Sequence, residues 1–212
     1  MLRSPLVPAA VLLLLLAGCS TDTPVPTSSE TPGTTSATPT AAPVPVEQPA
    51  LVVDVSGLTL IDSSGASASA SWSDGDAVID LIVQAVGPAP TPESTPKGDI
   101  YKWPEGISVF RLGSSVSASF TVPEVNGYEV RTADGITVGS TRAEVAALDF
   151  YSIDYDGDGD GLPDSVGLGP VEEPGTVSLV NPGAVGTSYV QVTFSGDVVA
   201  RLGAPAGDWR DL

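Results

Sequence analysis

Apolar and polar positions alternate through most of the chain after residue 49. Ser67, Ser69 and Ser71 alternate with Ala68, Ala70 and Trp72, and Val116, Ala118, Phe120 and Val122 alternate with Ser117, Ser119 and Thr121. Tyr189-Val190-Gln191-Val192-Thr193-Phe194 is β-branched and aromatic. Ser195-Gly196-Asp197 then turns the chain into Val198-Val199-Ala200-Arg201-Leu202, so this stretch reads as a β-hairpin. Shorter runs at 51–55, 58–61, 100–103, 107–112, 128–131 and 176–180 add further strands.

Helical periodicity occurs twice. Val78, Ile79, Leu81, Ile82, Ala85 and Val86 fall on one stripe, ended by Gly87-Pro88. Ser73 followed by Asp76 reads as the capping box that starts this helix. A shorter helix starts at Ser140-Thr141, with Glu144 at the capping position and Val145 and Leu148 inside. Both stripes read first as core packing. Between the first helix and the next strand, Pro88 to Pro96 reads as a proline-rich surface loop.

The pattern before residue 49 is different. Arg3 precedes an apolar run from Leu6 to Ala17, which is shorter than the roughly 20 residues that span a bilayer. Residues 1–18 therefore read as a secretory signal. From Ser20 to Gln48, 18 of 29 residues are Ser, Thr or Pro, with no Leu, Ile, Phe, Trp or Tyr. Such a segment buries too little apolar surface to offset its ordering entropy, so 19–48 reads as an extended linker. At about 3.1 Å per residue it reaches at most roughly 90 Å.

Composition narrows the chemistry. The 212 residues include no histidine, one cysteine, and 26 acidic against 8 basic side chains. The missing histidine excludes Ser-His-Asp and Cys-His catalysis and an imidazole zinc site. A single cysteine excludes an internal disulfide. A net charge of -18 argues against nucleic acid as a partner.

Leu16-Ala17-Gly18-Cys19 resembles the lipobox of bacterial lipoproteins. The resemblance implies cleavage before Cys19 and a diacylglycerol on its thiol, with acyl chains such as palmitate. It places the mature chain on the outer face of the cytoplasmic membrane. Membrane contact would then run through the lipid, since about 0.8 kcal/mol per buried methylene and two or more chains suffice for a stable anchor.

The remaining residues read as α+β, mostly antiparallel sheet with two short helices; an all-β sandwich is the alternative. Gly57-Leu58-Thr59-Leu60 and Gly135-Ile136-Thr137-Val138 echo one another, which divides this part into two lobes, 49–133 and 134–212. The segment from Asp134 to Val145, together with the hairpin 189–202, resembles repeats of secreted actinobacterial lipoproteins. Those in turn are similar to β-lactamase-inhibitor-like and small outer-membrane-lipoprotein domains. That resemblance implies binding or assembly rather than catalysis. The expected partner of such a surface-tethered module is an envelope protein or a cell-wall polymer.

One constellation carries chemistry. Asp154, Asp156, Asp158, Asp160 and Asp164 place five carboxylates within eleven residues. With Asp156 at position 1 of a calcium loop, Asp158 and Asp160 take positions 3 and 5, and Gly161 position 6. The Leu162 carbonyl takes position 7 and Asp164 position 9. The run resembles the calcium loops of thrombospondin type 3 and dockerin-like segments. Gly167 stands where a bidentate Glu is usual, so Glu172 or Glu173 is the candidate substitute and weak Ca²⁺ affinity, about 10⁻⁴ to 10⁻³ M, is expected. A solvated acidic turn is the plainer alternative.

Enzymatic readings have less support, and no catalytic residue is assigned. A carboxylate-dependent hydrolase of cell-wall glycan needs no histidine and is the alternative function. Ser94-Thr95-Pro96-Lys97 matches a Ser-x-x-Lys pattern in its letters only. Trp72, Trp103 and Trp209 read either as core residues or as a carbohydrate-stacking surface.

Overall fold

The computed structural model describes residues 48–153, 155–157 and 159–211, with side chains as far as Trp209. The signal segment, Cys19 and the linker to residue 47 lie outside the described residues, as do Asp154 and Asp158. Among the described residues no helix is long and apolar enough to cross a membrane.

The chain is β-rich and mostly antiparallel. Its first strands are β1 (Ala50–Val53), β2 (Gly57–Ile61) and β3 (Ser67–Ser71), followed by helix α1 (Gly75–Val86). A meander follows: β4 (Glu93–Thr95), β5 (Gly98–Trp103), β6 (Ile107–Leu112) and β7 (Ser115–Phe120). Next come β8 (Glu124–Val125), β9 (Tyr128–Thr132) and helix α2 (Arg142–Ala146). The last stretch holds β10 (Phe150–Ile153), β11 (Ser165–Glu173), β12 (Thr176–Ser178), β13 (Gly186–Ser195), β14 (Val198–Gly207) and β15 (Trp209–Asp211).

These strands build one sheet in the order β3-β2-β1-β9-β8 and a larger one in the order β10-β11-β13-β14-β7-β6-β5-β4. β12 and β15 form a separate ribbon. The β1–β9 pairing is parallel and the others are antiparallel. Leu202 of β14 stands opposite Phe120 of β7, so the large sheet crosses residue 133 and joins strands from both halves of the chain. One continuous core ties the layers together: Leu51 and Leu58 from the first sheet, Ile82 from α1, and Val109, Phe120 and Leu202 from the second are all fully buried or within 1 % of it. Each such side chain contributes about 1.5–3 kcal/mol.

The helix stripe is buried as its spacing predicts: Val78, Ile79, Leu81, Ile82, Ala85 and Val86 all face inward. The cap differs by one residue. Asp74, not Ser73, is the N-cap, and its side chain accepts from Ala77 N. Ser73 Oγ instead lies 3.0 Å from Ser71 Oγ. At the other end Asn126 Nδ2 donates to the Val86 carbonyl at 2.9 Å, closing a terminus that Gly87 opens.

Three other expectations need correcting. The proline-rich segment 88–96 is not all loop, because β4 pairs with β5 as the edge of the large sheet. The alternation at 67–71 buries only Ala70, since β3 is itself a sheet edge. Gly135–Val138 is not a strand and makes a single bridge, Arg131 to Thr137. There Thr137 Oγ1 donates to the Val130 carbonyl and Ser140 Oγ accepts from Thr137 N, so side chains satisfy the backbone in place of a ladder.

Candidate functional site

The acidic segment is positioned by α2 and by the β13–β14 hairpin. Thr141 caps α2 through the expected box: its Oγ1 accepts from Glu144 N, and Glu144 Oε2 accepts from Thr141 N at 2.6 Å. That backbone bond, with the Thr141 hydroxyl, holds the Glu144 carboxyl below the ordinary range. The cap fixes Arg142, the first residue of the helix. Its Nη1 donates to the Pro163 carbonyl at 2.7 Å and its Nη2 to the Gly196 carbonyl at 3.0 Å. The guanidinium lies 4.1 Å from the centre of the Phe194 ring. Arg142 therefore ties the acidic loop to the hairpin, a role that its spacing in the sequence does not announce.

Within the loop the carboxylates fold the backbone around themselves. Asp156 Oδ1 accepts from Gly159 N at 2.7 Å and Oδ2 from Gly161 N at 2.9 Å. Asp160 Oδ1 accepts from Leu162 N and Asp164 Oδ2 from Gly157 N, both at 2.7 Å. Gly161 has φ +84°, the left-handed conformation that its position in the motif requires. Asp164 is pinned from both sides by its backbone: its N–H donates to the Tyr155 carbonyl, and its own carbonyl accepts from Phe194 N, both at 2.8 Å.

The structure thus gathers Asp156, Asp160, Leu162 and Asp164 into one turn. Among the described residues no three acidic side chains converge to hold a metal ion; Asp154 and Asp158 lie outside that statement. Glu172 and Glu173 do not complete the loop. They sit at the far end of β11 from Ser165, on the order of 20 Å away along an extended strand. The Leu162 side chain, 43 % exposed, borders a small apolar cavity of about 140 Å³ with Val145, Phe150 and Phe194.

Sequence reasoning missed a second constellation, centred on Asp208. This carboxylate is 4 % exposed. Its Oδ2 accepts from Tyr151 Oη at 2.6 Å and from Ser178 Oγ, and its Oδ1 accepts from Thr187 N at 2.7 Å. Asn181 extends the network, donating from Nδ2 to Tyr151 Oη at 2.9 Å and from its backbone N–H to Ser178 Oγ at 2.8 Å. Burial pushes the Asp208 carboxyl up, but the bonds from Ser178, Tyr151 and Thr187 outweigh it and leave the group below its ordinary value. Burial, and after it the bond to Asp208, raises the Tyr151 phenol. Tyr189 stacks on Tyr151 at 5.5 Å and is raised by its own burial and then by the charge of Asp208. A carboxylate held ionised by three donors ties β10, β12 and β13 to the start of β15.

Compared with known protein families, curated proteins and solved structures, the chain matches none.

The serine–lysine candidate and the tryptophans lie elsewhere in the fold. Ser94 Oγ donates to Asp99 Oδ1 at 2.7 Å, and Lys97 N donates to Thr95 Oγ1, all within the β4–β5 hairpin. That is turn chemistry rather than a serine beside its base. Trp103 is buried against Tyr101, with ring centres 6.3 Å apart. Trp72 is buried and donates from Nε1 to the Asp54 carbonyl at 2.9 Å, while Trp209 is 38 % exposed.

Proposed function

We propose that this chain is a lipid-anchored binding or structural module of the bacterial envelope, fixed by Cys19 to the outer face of the cytoplasmic membrane. The observation that carries the reading is the lone cysteine of the chain, which stands directly after an apolar run and the small residues Ala17 and Gly18. The Ser/Thr/Pro-rich linker supports it, because it spaces the β-rich part from the membrane. Two helices beside mostly antiparallel sheet support the α+β reading of that part over the all-β sandwich.

Calcium belongs to the same proposal. The alternating aspartates from 154 to 164 have ligand spacing, and Arg142 together with Phe194 N holds the end of the loop in place. A metal there would stiffen a glycine-rich loop rather than take part in a reaction. Catalysis is not part of the proposal.

The decisive experiment is metabolic labelling with a palmitate analogue in a bacterial host that processes lipoproteins, followed by fractionation. The intact chain should be labelled and partition with membranes, and Cys19→Ser should be unlabelled and soluble. An unmodified thiol on the mature native protein would overturn the reading.

A further inference from the structure

We propose that the cleft between the two large sheets, beside Trp209, is a saccharide subsite that takes a neutral, hydroxyl-rich sugar unit. The inference rests on the binding reading above and gives it a ligand class.

Trp72 and Trp209 are far apart in sequence but line the same cleft, of about 300 Å³, with Ser56, Ser71, Ser188 and Glu173. That volume is at the lower end of the range of ligand cavities, about 300–1,000 Å³, and suits one sugar ring. Trp209 is held for the task. Its Nε1 donates to Ser188 Oγ at 3.1 Å, and Ser188 is itself 6 % exposed. The indole is seated against bare backbone at Gly186 and Gly207. A side chain at Gly186 would collide with Trp209 Cβ, and one at Gly207 would stand 2.5 Å from the indole nitrogen. An aromatic ring fixed in this way offers contact area at small entropic cost.

The rim chemistry selects the ligand. A pyranose has an apolar C–H face to lay on an indole and hydroxyls around its edge. Those hydroxyls meet the Glu173 carboxylate as acceptor and the serine hydroxyls as either partner. Among the described residues lining the cleft there is no Lys or Arg, so nothing there would hold a phosphate or carboxylate ligand. Glu173 is the only acid among them, and glycoside hydrolysis needs a pair. The cleft is therefore built to bind a sugar rather than to cleave it.

The test is isothermal titration of the full-length protein in detergent with chitotetraose, cellotetraose and poly(glycerol phosphate). At least one neutral tetramer should bind saturably, and the anionic polymer should not. Trp209→Ala should weaken that binding at least tenfold. Ser56→Trp fills the exposed rim without touching the core and should abolish binding while the melting temperature stays within a few degrees. The proposal is overturned by no saturable binding of either tetramer, by binding that Ser56→Trp leaves unchanged, or by binding of the anionic polymer alone. Palmitate labelling separates this from the broader reading. A labelled protein that ignores sugars removes the subsite and leaves the envelope module, and an unlabelled thiol with sugar binding does the reverse.

Discussion

The loop from 154 to 164 and the single carboxylate of Asp208 use the same side chain in opposite ways. In the loop, exposed aspartates accept N–H groups two to seven residues away, so each bond shapes a local turn. Asp208 accepts from groups 21, 30 and 57 residues away and is buried among them. The loop carboxylates remain near solvent, where a cation can reach them. The buried Asp208 carboxylate is engaged by three donors from distant segments and acts as a structural tie. Charge density alone therefore points away from the aspartate that ties distant segments together.

The largest expected effect comes from breaking the tie. Asp208→Ala leaves two hydroxyls and a backbone N–H without their acceptor and should cost about 3 kcal/mol. For a chain of this size that lowers the melting temperature by roughly 6–12 °C. A drop no larger than that of Asp156→Ala would erase the contrast between the two regions.

Acid sharpens the same contrast. The folded Asp208 carboxyl lies below its unfolded value, so its stabilisation is present above about pH 4 and is lost as pH falls through the lowered folded value. Urea midpoints measured from pH 6 to pH 2 should fall, and the fall should be shallower in Asp208→Asn.

Calcium should act on the loop alone. At 10 mM Ca²⁺ and a dissociation constant of about 10⁻³ M, the gain is about 1.4 kcal/mol, or roughly 3–6 °C in the melt. Asp156→Ala should abolish that rise, and Asp208→Asn should keep it. A wild-type melt that does not respond to Ca²⁺ removes the metal from the proposal. The smallest effect belongs to the cap of α2: Thr141→Ala should cost about 1 kcal/mol, read by urea denaturation.

What was legible in the sequence follows the same division. The α1 stripe, the capping box at Thr141, the strand Ile107–Leu112 and the hairpin around Gly196 are patterns within one element, and a single stretch of chain carries them. β11 was not legible. Gly167, Gly169 and Pro170 break its alternation, and the register with β13 shifts between Leu168 and Val171 to absorb them. The Asp208 network was invisible because its donors, Tyr151, Ser178 and Thr187, come from three separate segments. Arg142 looked like an ordinary helix residue because its acceptors are backbone carbonyls, which carry no sequence signal. The aspartate run was legible for the reason that makes it a candidate site: its spacing is its geometry.

The seam between β7 and β14 sets a condition on how the molecule is completed. The meander from β4 to β7 ends on a strand whose outer neighbour, β14, lies some eighty residues further along the chain. Until residue 207 has emerged, four strands wait with an open flank, and β13 waits on the other side for the same ribbon. A premature stop before Val198 would therefore do more than shorten the protein. It would remove the plank that bridges two half-built sheets and leave both as sticky, mutually unacquainted fragments.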